Sequence, residues 1–302
     1  MSHAMTADTT HKVSGDSVEG RYAAVLQRVA EAAKKVGRRP SDIILCAVTK
    51  NADPEQIRTL LRLGHRDFGE NRVQVLVQHA AIVEEYLARQ KLVPSGRKVC
   101  TEDPSLFAES KVNLKPAASL PGGAEGVRWH MIGHLQRNKV RKVVEFTRLI
   151  HSVDSLRLAE ELQVLALKRE APIEVLLQVN CSGESQKFGC PIPAAIAMAE
   201  QICTMINVRL RGLMTMAAEG VSAGQARETF ARCRELHEEI ARMNFVENAP
   251  FNILSMGMSG DFESAIAEGS NIVRVGSAIF GDAKPGAEHP EAPAEEGETP
   301  QG

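Results

Sequence analysis

Lys50 follows the apolar run IILCAVT and is the one cation at its end. An amine whose pKa is lowered by desolvation or by a neighbouring cation is a nucleophile toward carbonyls. On position alone, a lysine that simply leaves the sheet for solvent is an equal alternative. A second group lies near the other end of the chain, in LSMGMSGDFESAIAEGSNIVRVGSAIFG over residues 254–281. There Ser255, Gly257, Arg274, Gly276 and Ser277 interrupt apolar sequence. Glycine lets backbone N–H groups approach phosphate oxygens closely, and serine adds a hydroxyl donor. For one such loop, glycine as a mere turn former is the better reading. Two such loops at suitable strands, with a lysine at a third, favour a phosphate-bearing ligand that reacts with an amine.

Those residues need a frame that brings sequence-distant segments to one place. Val18, Tyr22, Val25, Leu26, Val29, Ala33 and Val36 recur at helical spacing, which predicts a helix over 16–36 stopped by Gly37. Eight strands follow: IILCAVT, HRDFGE, VRWHMIG, RLIHSVD, IEVLLQVN, VRLRGLMTMA, FNILSM and NIVRVGSAIFG. Helices are predicted between them, among them 54–63, 71–89, RNKVRKVVEF, a helix beginning at Ser155 and the long SAGQARETFARCRELHEEIARM. Repeated βα alternation argues for parallel strands with helical crossovers. Eight units predict an α/β fold, a single (β/α)8 TIM barrel with an extra N-terminal helix, over residues 16–283. An open doubly wound sheet is the runner-up, but its first turn should carry GxGxxG and here reads TKNADPE. Residues 1–15 read as a disordered lead-in. Residues 284–302, rich in Pro, Glu and Gly, read as a disordered tail with no second domain after the last strand. The aperiodic stretch at about 90–126 reads as a loop insertion.

In such a barrel the chemistry sits at the C-terminal ends of the strands, with phosphate often held by the loops after strands seven and eight. The strand-end residues are then Lys50 on the first strand, Asn71 after the second, His130 on the third and Met214 on the sixth. Ser255 and Gly257 end the seventh strand; Arg274, Gly276 and Ser277 end the eighth. Composition excludes other classes. The net charge of -2 gives no basic nucleic-acid surface, and no apolar run approaches the roughly 18 residues of a membrane span. The six cysteines include no CxxC pair or clustered ligands, so no metal site is expected. Without a secretory signal, free thiols in a reducing compartment are expected, and the protein reads as cytoplasmic.

In order along the chain, AVTKN, FGENRVQ, WHMIGHLQRNK, IHSVDS, LLQVNCSGESQKFG, LRGLMTMA and the 254–281 segment resemble the YggS/PROSC family of pyridoxal phosphate homeostasis proteins. That family is similar to the barrel domain of bacterial alanine racemase and binds pyridoxal 5'-phosphate (PLP). The resemblance implies that Lys50 holds PLP as a Schiff base. It implies that Ser255, Gly276 and Ser277 form the phosphate cup, and that Arg274 faces the pyridine nitrogen. It implies too that Asn71, His130 and Met214 line the cofactor. The insertion is longer than the family's, and Thr49 stands where the family often has Ser. The expected function is a non-catalytic PLP carrier in vitamin B6 and amino-acid homeostasis. Its expected partners are PLP-dependent apoenzymes, its expected state a monomer, and weak racemase side activity is compatible with it. The alternatives are an alanine racemase-type enzyme and a Schiff-base barrel aldolase.

Overall fold

The computed structural model describes residues 16–92, 126–184, 188–245 and 249–282. The lead-in at 1–15, the tail at 284–302 and all but the edges of the 90–126 insertion lie outside them.

Strands and helices alternate as the periodicities require. The strands are β1 (Ile44–Val48), β2 (Asp67–Glu70), β3 (Arg128–Met131), β4 (Thr147–Val153), β5 (Ile173–Asn180), β6 (Cys190–Pro191), β7 (Val208–Met214), β8 (Ile253–Ser255) and β9 (Ile272–Val275). All pairings are parallel, in the order β4-β3-β2-β1-β9-β8-β7-β5, and a β4–β5 pairing closes the ring. The two-residue β6 pairs with the end of β5 outside that ring. The result is the expected eight-stranded barrel.

The helices are α1 (Val18–Lys35), α2 (Pro54–Arg62), α3 (Val73–Leu92), α4 (Val140–Val143), α5 (Leu156–Arg169), α6 (Ile192–Cys203), α7 (Ala223–Arg242), α8 (Phe262–Ala267) and α9 (Ser277–Phe280). Their starts are written in local chemistry. Asp53 and Gln56 cap α2 reciprocally, with Pro54 at its first position, and Ser222 and Gln225 do the same for α7. The extra helix α1 has a definite place. Tyr22, Val25, Val29 and Ala33 share one apolar cluster with Leu45 and Ala47 of β1 and Val273 and Val275 of β9. It contacts α2 on one side and α8 and α9 on the other. Since α9 is a single turn, α1 covers the β9–β1 seam in its stead.

Two expectations need correction. The last strand ends at Val275; SAIF is the helical turn α9, in which the Ile279 and Phe280 amides donate to the Gly276 carbonyl, each at 2.9 Å. RNKVRKVVEF is not one helix but a 3-10 turn at Arg137–Lys139 followed by the single-turn α4. The barrel interior is apolar around Ile44, Cys46, Leu149, Leu176, Met214, Ile253 and Ile272. Among the described residues no helix is long and apolar enough to cross a membrane.

Candidate functional site

Strand alternation selects the residues that face the barrel axis. Ile44 and Cys46 of β1 lie in the interior cluster, and Lys50 shares their parity beyond the strand end. Lys50 is exposed and makes no hydrogen bond or ion pair with the described residues. The neighbouring Thr49 is fully buried, and its hydroxyl donates to the Glu70 carboxylate, which in turn meets His79 Nδ1 at 3.0 Å. The hydroxyl kept by Thr in place of Ser therefore ties the base of Lys50 to β2 and α3.

Asn71 follows β2. Gly133, just beyond β3, packs so close to it that a Cβ at 133 would stand 2.6 Å from Asn71 Cα. Asn71 Oδ1 is buried with no hydrogen-bond partner among the described residues. A buried carbonyl oxygen without a donor costs about 1–3 kcal/mol, so its donor is to be sought in a ligand.

The two loops after β8 and β9 meet. Gly257 has φ +90°, and a Cβ there would lie 2.6 Å from Ala265 Cβ and 2.8 Å from Phe262 Cα. Only glycine fits that turn. Ser259 Oγ accepts from the Gly276 amide at 3.3 Å and the Ala278 amide at 3.4 Å. Two backbone donors thus converge on one oxygen, at distances long for N–H···O. Ser277 is exposed at the first position of α9.

Ser255 departs from its expected role. It is fully buried, and its hydroxyl contacts Arg274 at 2.5 Å and His151 Nδ1 at 2.9 Å, not the loop amides. Its side chain faces the axis because it shares the parity of Ile253, which removes it from the rim. Arg274 donates a second bond to the Thr215 carbonyl at 3.0 Å and pairs with no carboxylate among the described residues. Burial pulls its pKa down to about 10, so it stays charged at neutral pH. His130 is also fully buried; Nδ1 lies 2.9 Å from His151 Nε2, and Nε2 lies 3.2 Å from Asp67 Oδ1. Asp67 receives a bidentate pair from Arg128 at 2.7 and 2.6 Å. Burial would raise the Asp67 pKa, but the bonds from Arg128 and His130 outweigh it and hold the carboxyl well below its ordinary range. Burial first, with the Arg274 charge adding to it, pushes the His151 pKa well below its usual value. Met214 packs in the apolar interior at the end of β7.

The barrel therefore gathers Lys50, Asn71, Gly257, Gly276 and Ser277 at the C-terminal ends of its strands, with Ser255, Arg274, His130 and Met214 below them. Sequence reasoning missed Ser259, His151 and Asp67. All three stood in quoted segments, and inward parity would have marked His151 and Asp67. A cleft lined by Tyr22, His65, Asp67 and Arg128 opens at the opposite, N-terminal ends of the strands, where barrels of this type do not place their chemistry.

Comparison with known proteins agrees with this architecture. The family described as alanine racemase, N-terminal domain, matches residues 22–284. A pyridoxal phosphate homeostasis protein of Pseudomonas aeruginosa is 35% identical over 265 residues, 88% of this chain and 95% of that protein. The crystal structure of an unknown protein from Bifidobacterium adolescentis superimposes with a TM-score of 0.71 at 35% identity, covering 87% of this chain and 94% of that one. PipY of Synechococcus elongatus, solved with PLP bound, gives a TM-score of 0.62 at 30% identity and covers 85% and 100%. The chain belongs to the family of pyridoxal phosphate homeostasis proteins, built on the alanine racemase N-terminal domain.

Proposed function

We propose that this protein holds PLP on Lys50 and serves as a carrier that passes it to PLP-dependent apoenzymes in the cytoplasm. The observation that carries the reading is an unpartnered lysine amine at the end of β1, beside the loop after β9, two of whose amides converge on the Ser259 hydroxyl of the loop after β8. The orphaned Asn71 Oδ1 fits a ligand at the same mouth. The named relatives and the PLP-bound PipY support the choice of cofactor.

In this reading the amides of Gly276 and Ala278, the hydroxyls of Ser259 and Ser277 and the turn at Gly257 hold the phosphate. Lys50 holds the aldehyde carbon, Asn71 lines the ring, and Arg274 meets the ring nitrogen. His130 and Met214, both fully buried, support the floor. PLP supplies an electrophilic aldehyde and an electron-accepting ring. Arg274 keeps its charge and cannot take a proton from that ring, so the ring nitrogen stays unprotonated and a weak electron sink. Racemisation also needs a second base. Tyr22 is bonded to His65 at 3.0 Å, and Tyr86 of α3 lies beneath Arg58; both stand off the strand ends. These positions favour a carrier over a racemase. An aldolase acting on a sugar phosphate would leave the purified protein colourless. The described cysteines are free thiols, which suits a reducing compartment.

Borohydride treatment of the PLP-loaded protein, followed by peptide mapping, should place the adduct on Lys50. Lys50→Ala should abolish the visible absorption band while some non-covalent PLP remains. An adduct on another lysine, or no uptake of PLP by the wild type, would overturn the reading.

A further inference from the structure

Among the described residues the barrel interior is mostly apolar; besides the buried ion pair of Arg211 with Glu174, it holds one connected string of polar contacts. It runs from Arg128 and Asp67, at the N-terminal ends of the strands, through His130, His151 and Ser255 to Arg274. Apolar residues would fill that space without desolvating six polar groups, so a packing role alone does not explain the string. Its hydrogen bonds can be oriented from the two ends. A guanidinium only donates, so Ser255 Oγ is the acceptor of Arg274. At the other end the ionised Asp67 only accepts, so with neutral rings His151 Nδ1 is left bare, and Ser255 donates its one proton there. The His151 ring proton is then on Nε2 and is donated to His130 Nδ1. His130 in turn carries its proton on Nε2 and donates to Asp67 Oδ1, where Arg128 completes the set. From Arg274 to Asp67 the bonds of the string all point the same way, from cation to anion, and Arg128 donates to Asp67 from the other side. Aligned bonds of this kind polarise one another.

We propose that His130 and His151 are positioning residues for Arg274, acting through Ser255. The proton of Ser255, committed to His151, leaves its lone pairs turned toward the guanidinium. Arg274 is then held by two fixed acceptors, Ser255 Oγ and the Thr215 carbonyl, with its remaining N–H groups aimed at the ring nitrogen. Without His151 the hydroxyl is free to rotate, and only the Thr215 carbonyl stays in place. The inference rests on the cofactor reading above, in which Arg274 meets that nitrogen. It extends the site by His151 and Asp67 and gives the buried His130 a role in placing Arg274.

Two experiments test it. Nitrogen NMR of the histidine-labelled protein needs neither variant nor ligand. It should find His130 and His151 with the proton on Nε2 and a bare Nδ1 at neutral pH; a protonated Nδ1 on either ring overturns the proposal. Wild type, His151→Asn and the isosteric Asp67→Asn should then be titrated with PLP and with its carba analogue, in which C–H replaces the ring nitrogen. Each variant should lose about tenfold in affinity for PLP, the scale of one charged hydrogen bond, and little for the analogue. The visible maximum of bound PLP should shift as well. Equal losses for both ligands, or no loss, would make the histidines structural and overturn the inference alone. A wild type that binds neither ligand would overturn the cofactor reading, and the role given to the string with it.

Discussion

Ser255 and Ser259 stand four residues apart and serve different partners. Ser259 meets the amides of Gly276 and Ala278 at the rim, while Ser255 lies under Arg274 inside the barrel. Their substitutions should therefore separate by ligand. Ser259→Ala should weaken PLP about tenfold, one hydrogen bond to a charged acceptor, and leave pyridoxal, which lacks the phosphate, nearly unchanged. Ser255→Ala should weaken both ligands alike, because both carry the ring nitrogen. Titration of each variant with both ligands decides the matter; a Ser255→Ala variant selectively impaired for PLP would return that hydroxyl to the phosphate. The sequence could not separate the two serines. Both occupy SMGMSG, and the distinction rests on the parity of Ile253, Ser255 and Gly257 relative to a barrel axis that no local pattern reveals.

At the scale of elements, the period of the apolar residues was enough to read the barrel. Continuous runs such as IEVLLQVN and IILCAVT are buried on both faces, and capped helices separate them. The misreadings fall where a long-range contact decides. SAIF carries strand-like residues, yet it turns helical because the Gly276 and Ala278 amides are gathered by Ser259, 17 and 19 residues earlier in the chain. RNKVRKVVEF has helical composition but yields only a 3-10 turn and one α-turn before β4 begins at Thr147. The helix α3, read as ending near Arg89, continues to Leu92. Close approach between elements is the other hidden variable, and Gly133 tests it. Its replacement by Ala puts a methyl group 2.6 Å from Asn71 Cα, so the loop after β2 must move. Gly133→Ala should thus lose most PLP affinity as well as stability. Gly37→Ala makes a useful contrast: at φ +69° with open space around it, only about 1–2 kcal/mol of left-handed strain is expected, with PLP binding intact. Unchanged PLP affinity in Gly133→Ala would mean that Asn71 does not depend on this contact.

For the whole molecule, the buried titratable groups set the pH range of stability. Burial lowers His65 and His237 to about 4 and pushes His151 well below its ordinary value. The unfolded chain takes up these protons near pH 6.5, the folded one only near 4 or lower. Between those values the unfolded state binds more protons, so stability rises with pH and is lost as pH falls below about 6.5. For His65, which is 7% exposed, bonded to Tyr22 and the Asp67 carbonyl, the full effect is on the order of 3 kcal/mol. Asp67 contributes in the other acid window: its folded pKa is depressed, so its share persists through mild acid and is lost only below the ordinary carboxylate range. Burial raises Tyr22 to about 12, and its contribution is lost as pH rises above about 10, where the unfolded phenol ionises. Acid unfolding should therefore begin with histidines, well above carboxylate pKa values. The urea midpoint should fall steadily from pH 7 to pH 5. In His65→Gln the midpoint should start lower but fall less steeply, by close to one proton's worth of slope. A midpoint flat down to pH 5, or an equal slope in the variant, would show that His65 is protonated in the folded barrel as readily as in the unfolded chain. The Tyr22–His65–Asp67 contact that links α1 to the start of β2 would then not depend on a neutral ring.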